Sequence, residues 1–158
     1  MAAVLLVGLF VVFSLSPSSA HATQTTLAEI HKMSLSGDHA LWTQTDPTEL
    51  AEQYQQALGV PTQLPPCGEK IKLCTCCINK CLKHDIIGTY MAVTEQGKIT
   101  VAIVESLPDA LGKPMTDPHY YQSQKDQCKI VAVRIGEQTY CAVGQVEHRY
   151  LQDLLKQL

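Results

Sequence analysis

The sequence carries no excess of positive charge: 12 Lys and Arg stand against 15 Asp and Glu, for a net charge of −3, and no basic stripe occurs. Binding to a phosphate backbone needs clustered cations, so this balance argues against a nucleic-acid partner. No glycine-rich loop suited to phosphate is present, nor are carboxylates paired at an interpretable spacing. Aromatics are also few. Phe10 and Phe13 are the only two phenylalanines and both fall in the first 22 residues, which leaves Trp42 and six tyrosines for the rest. A core beyond residue 22 is therefore expected to be built of Val, Ile, Leu and Ala, and at this size it gains from cross-links.

The first 22 residues also lack Asp, Glu, Lys and Arg. Their apolar run of about 14 residues is shorter than the roughly 20 that span a bilayer, and Ala20-His21-Ala22 suits a signal peptidase. Residues 1–22 are read as a secretory signal peptide, although no basic residue precedes the run. Its removal is expected to leave a secreted or periplasmic protein with no stable membrane span. Residues 23–66 then form a helical N-terminal region and a Pro-rich linker, 67–158 form a Cys-rich α+β domain, and 23–158 act as one compact unit.

Within 23–43 the pattern is ambiguous: Leu27, Ile30, His31 and Met33 suggest a helical turn or two, and His31 and His39 are expected to be solvated. Asp46-Pro47-Thr48-Glu49 is clearer. It offers a capping oxygen, a proline at the first helical position and a glutamate three residues past the cap. Leu50, Ala51, Tyr54, Ala57 and Leu58 follow at helical spacing up to Gly59. Residues 89–94 with 99–106, and 129–135 with 139–143, read as two hairpins, with Val131, Val133 and Ile135 on one face and Ala132 and Arg134 on the other. A last amphipathic helix over 146–158 is expected to pack on the sheet. The predicted fold is α+β: an N-terminal helix, a cysteine-rich crosspiece, an antiparallel sheet of about four strands and a C-terminal helix. No internal repeat beyond the two hairpins is apparent.

Seven cysteines supply the densest chemistry: Cys67, Cys74, Cys76, Cys77 and Cys81 fall within fifteen residues, and Cys128 and Cys141 lie at the second hairpin. Three readings compete. In an oxidising compartment the seven form a disulfide framework with one thiol over. A hairpin turning on 136–138 puts residue 133 opposite Cys141, so Cys128 and Cys141 stand roughly 16 Å apart and each seeks the 67–81 cluster instead. Alternatively, a helix over 74–84 lines up Cys74, Cys77, Cys81 and His84 as ligands for zinc or copper(I). A third reading is a thiol-redox or Cys–His enzyme, with Cys74 or Cys76 as nucleophile and His119 or His148 as base. The first implies a non-enzymatic binding protein with no cofactor. Its contact with a protein partner is assigned to the 107–127 connection, expected to be an extended loop, where His119, Tyr120 and Tyr121 cluster. His148, near the start of the last helix, is otherwise read as a surface residue.

Overall fold

The computed structural model describes residues 19–36, 43–44, 46–59, 61–75 and 85–158. Their elements run α1 (Ser19–Ser36), β1 (Thr43–Gln44), α2 (Pro47–Leu58), β2 (Ile71–Thr75), β3 (Ile86–Thr94), β4 (Gly97–Val104), α3 (Pro108–Leu111), β5 (Lys113–Pro114), β6 (Tyr120–Lys125), β7 (Cys128–Ile135), β8 (Gln138–Gly144) and α4 (His148–Leu155). The mixed α+β class is as expected, but the sheet is larger. Eight antiparallel strands lie in the order β1-β2-β3-β4-β8-β7-β6-β5. The two predicted hairpins sit at its centre with β4 against β8, and each is extended outward by further strands.

Local chemistry accounts for several of these elements. Asp46 caps α2 by accepting from the backbone N–H of Thr48 at 2.9 Å and of Glu49 at 3.3 Å, and Gly59, at φ 67°, ends it with its N–H on Gln55 O. The β7–β8 hairpin closes through a two-residue turn because Gly136 adopts φ 60°; Ile135 pairs with Gln138 and Cys141 therefore faces Ala132 rather than residue 133. The register thus differs by one residue from that expected.

Both faces of the sheet are buried. On one, Leu50 and Tyr54 of α2 and Leu151, Leu154 and Leu155 of α4 close over Tyr90, Val101, Ile103, Val131, Tyr140 and Ala142. Full burial of each large side chain contributes about 1.5–3 kcal/mol. The phenols on this face are tied to backbone: Tyr54 OH donates to Thr89 O, and Tyr140 OH accepts from Gln63 N at 2.8 Å while donating to Gln138 at 2.9 Å. That contact pins the Pro-rich segment, read from sequence as a linker, across the sheet.

On the other face α1 lies over β4, β7 and β8 and beside α3. Leu27, Ala28 and partly buried Ile30 meet Ala102, Val104, Ile130, Ala132, Cys141 and Val143. Much of the contact is polar. Thr23 donates to Asp85 at 3.2 Å, Gln24 donates to Leu111 O at 2.7 Å, and Lys32 pairs with Asp126 at 2.5 Å. His31, expected to be solvated, is 1% exposed, with Nδ1 3.0 Å from Thr100 Oγ1. Met33, expected to help define the helix, is instead 63% exposed. His39 lies outside the described residues. Residues 19–22, assigned to the leader, form the first turn of α1. Among the described residues no helix is long and apolar enough to cross a membrane.

Candidate functional site

Four of the seven cysteines, Cys67, Cys74, Cys128 and Cys141, fall among the described residues. Residues 71–75 form a strand, so Cys74 is not part of a helical stripe with Cys77, Cys81 and His84. Those three residues and Cys76 lie outside the described residues. Among the described residues no group of three His, Cys, Asp or Glu is placed to hold a metal. Among the described residues Cys67, Cys74, Cys128 and Cys141 form no disulfide with one another.

Strand β2, with Cys74, is separated from β8, with Cys141, by β3 and β4. At about 4.8 Å per strand that is roughly 14 Å, twice the Cα separation a disulfide tolerates. Cys128 lies one strand further still. The expected ties from these two to the cluster therefore do not run through Cys74. Cys128 and Cys141 also stand four ladder positions apart, about 13 Å, on the face that α1 covers.

The same spacing keeps Cys74 from pairing with His119 or His148. His119 precedes β6 and His148 bonds to Ser123 O of β6 at 2.9 Å, five strands from β2 and roughly 24 Å away. Thiolate chemistry finds no support either. Burial pushes the thiols of Cys67, Cys74 and Cys128 up, and that of Cys141 up to about 12, opposite to the depression that activates a nucleophilic cysteine.

The connection between the hairpins is ordered into α3, β5 and β6 rather than an extended loop. Two backbone bonds close the segment at its tip: Tyr120 N–H donates to Asp117 O at 3.1 Å, and Met115 N–H to Tyr120 O at 2.8 Å. The carboxylate of Asp117 accepts the backbone N–H of His119 at 3.2 Å and lies 3.0 Å from its Nδ1, and these bonds hold Asp117 below the usual carboxylate range. His119 itself is exposed. The tyrosine doublet is split by strand alternation. Tyr120 packs on the α2/α4 face, where Lys156 stands 5.8 Å from its ring centre, whereas Tyr121 pairs with Ala132 and takes the α1 face. They do not form one contact patch.

A cleft of about 420 Å³ opens between this rim and α4, lined by Met115, Thr116, Asp117, Arg149, Gln152 and Lys156. Its helical wall was not singled out from sequence. The signal is the spacing 149, 152, 156, which lies beside the apolar 151, 154, 155, 158 set on the same helix. The chain thus defines a class: a two-layered helical cover on one central antiparallel sheet, with a fixed polar rim at one end. Comparison with protein families, with curated proteins and with solved structures gives no match to it.

Proposed function

We propose that this protein is an extracytoplasmic, non-enzymatic binding protein that meets a protein partner at the 113–119 rim and its cleft, with disulfides confined to the 67–81 segment. The rim carries the reading: its backbone is fixed by internal hydrogen bonds, so a contact there loses little ordering entropy. His119 is exposed at its tip.

A definite redox expectation accompanies this reading. Two bridges within the 67–81 segment take four of the seven cysteines and leave three thiols, of which Cys128 and Cys141 are buried. Intact-mass analysis of protein purified without reductant, alkylated before and after denaturation, is expected to find one readily modified thiol or none, and three once unfolded. Seven free thiols with co-purifying zinc or copper would instead support the metal reading.

The binding role is tested by a photo-crosslinking residue at position 119, with the same residue at 96, in an exposed turn at the opposite end of the sheet, as control. Adducts in the native compartment are expected from 119 and not from 96. Equal yields from both would overturn the assignment.

A further inference from the structure

We infer that the cleft between the rim and α4 binds an acidic peptide segment, its carboxylate on Arg149 and its backbone on the Gln152 amide. This deepens the binding role proposed above and rests on it.

The charges around the cleft single out Arg149. Asp117 is engaged by His119, Glu147 by Lys129 at 2.7 Å, and Asp153 by Lys156 at 3.6 Å. Lys156 is further held against the Tyr120 ring. Arg149 is exposed and makes no ion pair among the described residues, so its planar fork of donors is free for a carboxylate.

Gln152 is the second, independent observation. It is 8% exposed, it lines the cleft, and its side-chain amide has no hydrogen-bond partner among the described residues. The amide nitrogen and oxygen are not sealed from solvent, and they present one donor and one acceptor side to the cleft, matching a peptide group. Arg149 and Gln152 are one helical turn apart on the same wall, so both reach one extended segment. Opposite them, Met115 offers an apolar, adaptable surface for a side chain. The cleft volume falls within the range of specific ligand pockets.

The test is a titration of the ¹⁵N-labelled full chain with a glutamate-containing hexapeptide, its lysine-containing counterpart, and inorganic phosphate. The acidic peptide is expected to shift the resonances of Met115, Asp117, Arg149 and Gln152. Its affinity is expected to fall about tenfold in Arg149→Gln and in Gln152→Leu, with dispersed spectra showing both variants folded. Unchanged affinity in Arg149→Gln, or phosphate binding as tightly as the peptide, overturns the inference. If the lysine peptide shifts the same resonances and the acidic one does not, the carboxylate assignment fails while the binding rim stands. If no peptide moves the rim, both fail.

Discussion

Protonation of His31 is expected to loosen α1 from the sheet. The imidazole is 1% exposed; Nδ1 faces Thr100 Oγ1 at 3.0 Å, and Nε2 is buried without a partner. The neutral ring fits this site, but the imidazolium adds an N–H that finds no acceptor. Neither the Lys32–Asp126 ion pair at 2.5 Å nor the Asp85 carboxylate, hydrogen-bonded by Thr23 and Ser106, touches the ring. The other titratable groups facing α1 from β7 and β8 are the Cys128 and Cys141 thiols, which are neutral here. Burial therefore lowers the His31 pKa from 6.5. Between that depressed value and 6.5 the unfolded chain binds the extra proton, so stability is complete above pH 6.5 and is lost as pH falls through the folded pKa. The slope is at most about 1.4 kcal/mol per pH unit, a tenfold change in the unfolding constant. Against a typical total of about 5–15 kcal/mol this is measurable. Urea unfolding midpoints from pH 7.5 to 5.0, for the wild type and for His31→Gln, provide the assay. Glutamine can keep a hydrogen bond to Thr100 but does not titrate, so its profile is expected to be flatter. The lowered carboxylates Asp117, Asp126 and Glu147 titrate below this window and do not confuse it. Identical pH slopes in the two proteins would refute the argument.

Three further outcomes are expected. Asp46→Ala removes the bonds to Thr48 and Glu49 and is expected to cost about 1 kcal/mol, read as a lower urea midpoint; no change would mean that the cap does not hold α2. A methyl at Gly112 would stand 2.4 Å from Gln122 O in the paired strand, so Gly112→Ala is expected to shift β5 or cost about 1–3 kcal/mol, with the resonances of Met115 and Asp117 displaced. In the native protein Cys128 and Cys141 are expected to be alkylated far more slowly than a solvent-exposed thiol, and Cys141→Ser to cost about 1–3 kcal/mol by placing a hydroxyl among Ile130, Val143 and Ala102. Peptide mapping after brief alkylation checks the first, and denaturant midpoints check the second.

Why some elements were legible and others not follows from where their polar groups are satisfied. The caps of α2 and the central hairpins are local devices: Asp46, Pro47, Gly59 and Gly136 act on their own backbone, so their meaning does not depend on the rest of the chain. Helix α1 is different. Its sheet-facing stripe is Thr23, Thr26, Leu27, His31 and Ser34, and three of those polar side chains find partners on the sheet or in the segments beside it, through Asp85 and Thr100. No periodicity of apolar residues marks a helix that docks in this way. Strand β6 escaped for a related reason, since Gln122, Ser123 and Gln124 lie near the edge of the sheet and do not alternate with apolar residues.

The rim shows the same division. The Asp117-Pro118-His119 turn is local and its neighbourhood is marked in the sequence, but the doublet Tyr120-Tyr121 makes one surface only on an irregular loop. Once it is a strand, period-two geometry sends the rings to opposite faces, and the surface beside the rim is completed from α4, some thirty residues on. The helical spacing of Arg149, Gln152 and Lys156 was visible, but nothing local says which wall they face. That depends on β8 returning beside β4, which carries α4 across the α2/α4 face toward β7 and β8 and sets its polar stripe against Met115 and Asp117.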